Sequence, residues 1–266
     1  MAGSAKYVQI AGDLRRRIES HEFAADVPLP TEGSLQSEYQ ASRNTVREAV
    51  KLLVQQHLLE TRAGQGTFIT KEIVPFFTTL STDPKTGVGG GGEGATYPAL
   101  IREQGREAGA ATPEVAVLNC PAQMTSRLGI GEDELVVSRR QERYIDGTIW
   151  SRWTTYYPMK WVDMGATGLL IPRDIPEGAV DYLFRTIGLR QVGYRDLVSA
   201  RLPDDKERAL FNLTLNHTVI EICRTSFAED KTPIRVTVTV FPSDRNQLIY
   251  EIGAVPDGRE EPAQPQ

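Results

Sequence analysis

The first part of the chain carries a hydrophobic stripe with the period of an amphipathic helix. Apolar residues recur at intervals of three and four positions, which predicts a helix over about 7–21. The stripe is formed by Tyr7, Ile10, Ala11, Leu14 and Ile18. One face of this helix is therefore expected to pack in a small helical core.

Two shorter helices are predicted to follow. Thr31 is a suitable N-cap for a helix over 32–39, because its hydroxyl can accept a hydrogen bond from a free backbone N–H group. Ser42 is a suitable N-cap for a third helix, whose apolar positions again follow the helical period. Those positions are Val46, Ala49, Val50 and Leu53. Two short helices joined by a tight turn indicate a helix-turn-helix.

A β-hairpin is predicted directly after the third helix. Two β-prone runs, 58–62 and 67–70, flank a turn that contains Gly64 and Gly66. A tip with two glycines is slim enough to approach the minor groove of DNA, so the hairpin is interpreted as a wing. Arg62 and Gln65 are predicted to contact phosphate or the groove. The alternative is that these two side chains only decorate the turn.

The start of the third helix carries polar residues suited to reading DNA. A recognition helix presents its first residues to base edges in the major groove. Arg43 can pair with guanine and Asn44 with adenine. The alternative is a solvated helix start, with Arg47 in a surface ion pair beside Glu48. The predicted DNA-binding residues are Thr31, Ser42, Arg43, Asn44, Thr45, Arg47, Arg62, Gly64, Gln65 and Gly66.

The residues from about 97 onward mix helical and strand patterns. Strands are predicted over 114–120, 134–157 as a hairpin, 219–227, 234–241 and 248–252, and helices over 121–129, 179–187 and 204–213. Helices combined with antiparallel hairpins indicate an α+β domain.

The strongest hairpin is predicted to turn at Asp146 and Gly147, a dipeptide that is favoured in type I′ turns. A two-residue turn fixes the strand register. The predicted facing pairs are Ile145 with Thr148, Arg143 with Trp150, Gln141 with Arg152, and Arg139 with Thr154.

This register would gather arginines on one face of the sheet. Clustered guanidinium groups repel one another unless they are neutralised, and they bind carboxylate or phosphate well. The face is therefore predicted to bind an anionic effector, and the alternative is an exposed face whose arginines pair with surface carboxylates. The predicted effector-binding residues are Arg139, Arg143, Trp150, Arg152, Arg224 and Arg235. The predicted core face holds Val136, Tyr144, Ile149, Trp153 and Tyr157.

Composition is typical of a folded chain with two domains. The chain has 266 residues, of which 40% are hydrophobic and 24% charged. No apolar run is long enough for a membrane helix and the start lacks a signal-peptide core, so a cytoplasmic protein without a membrane partner is expected. Cys120 and Cys223 are too few for a disulfide scaffold, and His21, His57 and His217 are scattered. We expect no metal and no cofactor.

Charge changes the picture only when the chain is divided. A net charge of −5 and a pI near 5.4 would argue against a nucleic-acid partner. Residues 1–70, however, contain eight Lys and Arg and eight Asp and Glu, so the whole acidic excess lies in 71–266. The overall charge therefore does not exclude DNA binding by the first part of the chain.

A Gly-rich segment at 83–94 marks the boundary between the two parts. No Lys-Ser or Lys-Thr follows its glycines, as a phosphate-binding Walker loop requires, so a linker is the preferred interpretation. The predicted organisation is a winged helix-turn-helix domain over 1–74, a flexible linker over 75–96, an effector-binding and dimerisation domain over 97–254, and a disordered tail over 255–266.

Residues 7–69 resemble the DNA-binding domain of GntR-type bacterial transcription regulators. The stretches that carry the resemblance are YVQIAGDLRRRI, PLPTEG, SRNTVREAVKLL and HLLETRAGQGTF. The resemblance implies that the start of the third helix and the wing glycines contact or approach DNA. Many members have an arginine where this chain has Gly33. A DNA contact of the relatives is then missing, and their operator sequence cannot be transferred.

Most of 97–254 resembles the UTRA effector-binding domain of the HutC-type branch, a fold shared with chorismate lyase. The resemblance rests on RYIDG at 143–147, Tyr-Pro at 157–158 and the strand 219–227 before Pro233. In the family, an Arg-x-Arg pair before the turn often binds anionic groups, but Gln141 replaces one arginine here. Arg152 and Arg235 stand where carboxylates are common. These exchanges favour a more acidic or different ligand over a sugar phosphate.

The sequence thus predicts an α+β protein, an N-terminal winged helix-turn-helix plus a C-terminal chorismate-lyase-like domain with a mixed antiparallel sheet. Its predicted function is ligand-responsive, sequence-specific transcription regulation, as a repressor released by a small anionic metabolite. Two recognition helices would match a near-palindromic operator in a homodimer. One alternative is a chorismate-lyase-like enzyme with a DNA-binding appendage, for which no catalytic motif is present. Another is a constitutive DNA-binding dimer without an effector.

Overall fold

The chain divides into two units, Met1–Ile73 and Val74–Gln266. The structure is a computed structural model. It describes residues 5–20, 22–24, 27–56, 58–62, 64–69, 76–80, 96–213 and 217–250.

Among its described residues, the first unit contains three helices and a two-stranded antiparallel hairpin. Its elements are α1 Lys6–Glu19, α2 Glu32–Tyr39, α3 Arg43–Gln55, β1 Leu59–Arg62 and β2 Gly66–Ile69. These elements confirm the predicted helix-turn-helix and wing. Of the predicted stripe on α1, Tyr7 is exposed and the other four residues are buried. They pack with Leu35 of α2 and with Val46 and Leu53 of α3, which fixes the three helices around one core.

The second unit contains five helices, a 3₁₀ turn and nine strands among its described residues. In chain order these are β3 Phe76–Thr79, α4 Thr96–Glu103, β4 Ala108–Ala110, β5 Glu114–Asn119, α5 Ala122–Leu128, β6 Leu135–Ile145, β7 Thr148–Pro158, α6 Lys160–Asp163, the 3₁₀ turn Thr167–Leu170, α7 Ala179–Ile187, β8 Gln191–Arg201, α8 Asp205–Phe211, β9 Val219–Ala228, β10 Pro233–Pro242 and β11 Asn246–Ile249.

Seven of these strands form one antiparallel sheet. Its order is β4-β6-β7-β10-β9-β8, and β5 pairs with the half of β6 that β4 leaves open. The strand partners run antiparallel throughout the sheet, which agrees with the predicted α+β class. Two further strands, β3 and β11, form a separate parallel pair.

The sheet has two faces with different coverings. The face that carries Arg139, Thr155 and Thr237 is called the cavity face here, and the Thr155 and Thr237 hydroxyl oxygens on it lie 3.1 Å apart. On the opposite face, α5 packs its Met124 and Leu128 against an apolar cluster of the sheet. The buried strand residues of that cluster are Val136, Cys223 and Val236.

The segment between the two units differs in part from the predicted linker. Four residues of the predicted linker 75–96 form β3, which pairs with β11. The Gly-rich stretch lies within 81–95, outside the described residues, and so does the predicted tail over 255–266.

Candidate functional site

The first turn of α3 presents polar side chains to the outside. Ser42 is its N-cap, as predicted, and the Ser42 Oγ accepts a hydrogen bond of 3.2 Å from the Thr45 backbone N–H. The Ser42 and Thr45 hydroxyl oxygens lie 2.8 Å apart. Arg43, Asn44 and Arg47 are exposed. The helix start that was predicted to read DNA is therefore accessible.

One carboxylate of α2 holds both arginines of α3. The Nε atoms of Arg43 and Arg47 each donate a hydrogen bond of 3.1 Å to a different oxygen of Glu32. The bond from Arg43 and then that from Arg47 lower the pKa of the Glu32 carboxyl. The alternative that Arg47 forms a surface ion pair beside Glu48 is not what the structure shows: Arg47 pairs with Glu32 across the helix-turn-helix. The Arg43 and Arg47 side chains remain 66% and 58% exposed, so these pairs stabilise the fold little and can be exchanged for DNA contacts.

Thr31 serves the helix-turn-helix itself. Its hydroxyl caps α2, as predicted, by accepting a hydrogen bond of 3.2 Å from the Ser34 backbone N–H. The Thr31 and Ser34 hydroxyl oxygens lie 2.9 Å apart. This cap places Glu32 at the first position of α2, within reach of α3.

The wing places Arg62 directly opposite Gly66. The Arg62 guanidinium lies 4.2 Å from the centroid of the Phe68 ring and its Nε donates a bond of 2.8 Å to Glu60. A side chain at Gly66 would meet the Pro28 Cβ at 3.3 Å, and its φ of 120° disfavours other residues. Gly64 and Gln65 are exposed at the tip. The wing is thus narrow, with an arginine at its edge.

The second unit contains a cavity of about 420 Å³ on the cavity face of the sheet. This volume is in the range of small-molecule sites. The walls come from α4, β4, β6, β7, β10 and the segment that precedes α7. Among the described residues, four arginines and one carboxylate line it: Arg102, Arg139, Arg143, Arg235 and Asp174. The excess of positive charge fits an anionic ligand.

The strand register differs from the predicted one beyond the first pair. Ile145 faces Thr148 as predicted, but a β-bulge between Arg143 and Tyr144 shifts every later pair by one residue. Arg143 therefore faces Ser151, where Trp150 was predicted. For the other two predicted pairs, the structure instead pairs Gln141 with Trp153 and Arg139 with Thr155.

The shift changes which side chains share the cavity face. Trp153 and Tyr157, which were predicted for the core face, line the cavity beside Arg139 and Arg143. Trp150 and Arg152 do not line it, so the predicted shared face was wrong for these two residues.

Trp150, Arg152 and Arg224 have other contacts. The buried Trp150 donates through Nε1 to the Arg245 carbonyl at 3.1 Å. Arg152 lies 3.2 Å from the buried Glu207 of α8. Arg224 pairs with Asp196 at 2.6 Å on the neighbouring strand β8. Each of these contacts ties elements of the fold together at a position outside the cavity wall.

Arg139 fixes a wall of the cavity rather than its interior. Its guanidinium donates hydrogen bonds of 2.7, 2.8 and 2.7 Å to the carbonyl oxygens of Leu169, Ile171 and Arg173. These carbonyls belong to the segment that leads to Asp174. Burial lowers the pKa of the Arg139 guanidinium.

Gln141 completes this wall. Its Nε2 donates bonds of 2.7 Å to the Ala111 carbonyl oxygen and to the Asp174 Oδ1. The sequence placed Gln141 at an altered family position but did not reveal the Asp174 contact, because the two residues are far apart in the chain. The amide thereby positions the Asp174 carboxylate in the cavity wall.

Two further arginines, Arg143 and Arg235, line the cavity. The Arg143 guanidinium lies 4.7 Å from the centroid of the Trp153 ring. Arg235 is 5% exposed and its NH2 group donates a bond of 3.2 Å to the Gln191 amide oxygen. Since Arg235 lines the cavity, its guanidinium is a candidate for binding an anion there.

Other kinds of site are not found in the described part of the chain. There, no group of three or more His, Cys, Asp and Glu side chains is placed to hold a metal ion. None of the described helices is both long enough and apolar enough to cross a membrane.

Two protein-family models match the chain, one in each of the two units. Residues 6–69 match the model for bacterial regulatory proteins of the gntR family, and residues 103–247 match the UTRA domain model. The chain belongs to the GntR family and carries a UTRA domain. The first unit is thus the helix-turn-helix domain of this family, and the second unit contains its UTRA domain.

Named relatives match mainly the first unit. The chain is 42% identical over 81 residues to the mannosyl-D-glycerate transport/metabolism system repressor MngR of Escherichia coli strain K12, covering 30% of this chain and 34% of that protein. It is 40% identical over 65 residues to the repressor NagR of Bacillus subtilis strain 168, which covers 24% of this chain and 27% of that protein. The chain thus spans about a third or less of the length of these curated relatives.

Longer matches cover both domains of the GntR-family chain. It is 24% identical over 251 residues to an uncharacterized HTH-type transcriptional regulator of Rhizobium meliloti strain 1021, covering 94% of this chain and 96% of that one. A crystal structure of a putative GntR-family transcriptional regulator matches with a TM-score of 0.62 and 23% sequence identity. The match covers 95% of this chain and 99% of that chain. Both relatives are named as transcriptional regulators.

Proposed function

We propose that this GntR-family regulator is a cytoplasmic repressor that binds a near-palindromic operator as a homodimer and is released by a small anionic metabolite. The observation that carries the proposal is the pairing of an exposed recognition helix with an arginine-rich cavity in one chain. Relatives that are named repressors, such as MngR and NagR, support negative control.

The DNA-binding part of the proposal rests on α3 and the wing. Arg43 and Asn44 would face base edges in the major groove, and the capped helix start would face a phosphate. The Arg62 side chain would contact the backbone beside the minor groove. Two copies related by a two-fold axis would place two recognition helices on two half-sites.

The ligand part of the proposal rests on the charges and rings of the cavity. Arg143 and Arg235 would bind a carboxylate or phosphate, and Trp153 and Tyr157 would cover its less polar portion. Asp174 offers a hydrogen-bond acceptor for a hydroxyl or ammonium group. The ligand would then shift the population toward a state that does not bind the operator.

The proposal is tested by measuring operator binding and ligand release in the same titration. A thermal-shift screen with sugar acids, dicarboxylates and sugar phosphates first identifies a compound that raises the melting temperature. We expect Arg143→Ala to bind the operator with unchanged affinity and to lose release by that compound. Arg140→Ala is the matched control, because Arg140 lies on the opposite sheet face and pairs with Glu114.

Arg43→Ala gives the complementary result in this experiment. We expect it to lose about 1–3 kcal/mol of operator binding, which is roughly 5- to 150-fold, and to retain the thermal shift with the compound. Unchanged operator affinity in Arg43→Ala would refute the recognition-helix assignment. If no compound changed the melting temperature, the constitutive dimer would become the better interpretation.

A further inference from the structure

The strand β8 forms one edge of the seven-stranded sheet. Its 11 residues, Gln191–Arg201, pair with β9 on one side. Among the residues that the structure describes, no strand pairs with its other side. Within the described part of the chain, β8 is thus an edge strand to which another strand could be added.

The opposite edge of the sheet is not an equivalent site. There, the three residues of β4 and the six residues of β5 share β6 and are separated by Pro113. A short and interrupted edge offers few consecutive backbone groups to a partner. Only β8 offers a long uninterrupted edge in the described part of this sheet.

The charged side chains that would normally protect such an edge are directed toward its own sheet. Asp196 pairs with Arg224 of β9 at 2.6 Å. Arg201 pairs with Glu207 at 2.6 Å and with Glu221 at 2.8 Å. The Arg195 guanidinium lies 5.7 Å from the centroid of the Phe227 ring of β9. β8 also lacks proline and lysine, the usual residues that block edge pairing.

Apolar side chains are exposed at the centre of this edge. Leu197 and Val198 are 52% and 45% exposed, and as neighbours in a strand they lie on opposite faces of the sheet. We propose that a second copy of this chain adds its β8 strand to this edge, antiparallel about a two-fold axis at Leu197. This inference rests on the proposed homodimer and names its surface.

Charge excludes several two-fold positions next to Leu197. An axis at Arg195 or Asp196 would place like charges directly opposite each other, and an axis at Val198 would place Arg195 opposite Arg201. Like charges in directly opposite positions destabilise a strand pair. An axis at Leu197 places Asp196 opposite Val198 and Arg195 opposite Ser199, and it avoids each of these repulsions.

The proposal is tested by disulfide cross-linking of the full-length Leu197→Cys variant under mild oxidation. Directly opposite residues in an antiparallel pair have Cα atoms roughly 4.5–5.5 Å apart, within the range of a disulfide. We expect a covalent dimer on a non-reducing gel that a reductant dissociates. The native Cys120 and Cys223 are each 5% exposed, so they should contribute little background.

Val192→Cys is the matched control, because Val192 is a similarly exposed residue of the same strand at 43%. In the proposed register, Val192 lies opposite residue 202, so the two introduced thiols would be about 33 Å apart. We expect Val192→Cys to remain monomeric on the same gel. Equal cross-linking of both variants would indicate random collision and overturn the proposal.

A second variant tests the interface without chemistry on cysteine. Leu197→Lys would place two positive charges opposite each other, and sedimentation should show monomers at concentrations where the unaltered chain is dimeric. A dimeric chain without Leu197→Cys cross-linking would overturn this surface and leave the proposed function standing. An unaltered chain that binds its operator as a monomer would overturn the homodimer as well.

Discussion

Glu32 connects the two helices of the DNA-binding motif at the level of single side chains. Its two oxygens accept one hydrogen bond each from Arg43 and Arg47, both predicted to contact DNA. The carboxylate therefore orients these guanidinium groups before DNA arrives. It also places a negative charge beside a surface that would approach phosphates.

This double role predicts a specific effect of Glu32→Gln. Removing the charge should raise affinity for scrambled duplex DNA, because repulsion from phosphates is lost. The Arg43 guanidinium also loses its ion pair and becomes less ordered, which should lower the ratio of operator affinity to scrambled-duplex affinity by up to about fivefold. A factor of about five corresponds to the roughly 1 kcal/mol that a surface ion pair contributes. Fluorescence anisotropy with both duplexes measures this ratio.

Glu132→Gln is a control for net charge, since it removes the same charge from an exposed position in the second unit. It should leave the affinity ratio unchanged. An unchanged ratio in Glu32→Gln as well would mean that Glu32 does not orient the arginines for base recognition.

The caps of α2 and α3 could be predicted from the sequence, because an N-cap hydrogen bond joins residues only three positions apart. Thr31 and Ser42 both confirm this. The contacts of Glu32 could not be predicted in the same way. They span 11 and 15 residues and depend on how the two helices cross.

At the level of elements, the β6–β7 hairpin shows that its turn could be predicted from the sequence but that the strand register beyond the turn could not. The turn at Asp146 and Gly147 has positive φ angles of 51° and 75°, as a type I′ turn requires. One bulge beyond the turn then moves Trp153 into the cavity and Trp150 out of it. Because side chains alternate between faces, a shift of one residue exchanges the two faces.

The strand β8 was not predicted at all. Its sequence QVGYRDLVSAR contains a glycine and three charged residues and lacks regular alternation. Pairing with β9 and ion pairs with neighbouring elements hold it in the sheet. Tertiary contacts thus override a weak local preference.

The wall segment of the cavity depends on Arg139, so we expect Arg139→Met to loosen it. The variant leaves three carbonyl groups without their donor, which should cost about 1–3 kcal/mol of unfolding free energy. Hydrogen exchange of residues 168–175 should become faster, as measured by mass spectrometry, and the melting temperature should fall.

Arg140→Met provides the comparison for this element. Arg140 is the next residue of the same strand, is exposed and pairs with Glu114 on the other face. Its replacement should leave exchange in 168–175 unchanged. Slow exchange in Arg139→Met would mean that other contacts hold the segment.

At the scale of the whole molecule, the chain connects the cavity to the start of the second unit through α4. Arg102, in α4, lines the cavity. Gln104, just after α4, forms two hydrogen bonds with the backbone of Phe77 in β3. Its Nε2 donates a bond of 3.1 Å to the Phe77 carbonyl oxygen, and its Oε1 accepts a bond of 3.4 Å from the Phe77 N–H. β3 begins three residues after Ile73, where the DNA-binding unit ends. A ligand that moves Arg102 would thereby act on the strand that continues from the DNA-binding unit.

This connection predicts that Gln104→Ala weakens coupling without removing either binding activity. Operator affinity without ligand, and ligand affinity without operator, should each change less than about twofold, because Gln104 does not line the cavity and lies outside the DNA-binding unit. The ligand-induced loss of operator affinity, typically about 5- to 150-fold, should become several-fold smaller. Operator titrations with and without the compound from the thermal-shift screen measure this factor.

Gln123→Ala, at an exposed position of α5, is the control and should retain the full ligand-induced loss of operator affinity. Full coupling in Gln104→Ala would mean that the signal leaves the cavity by a route other than Phe77.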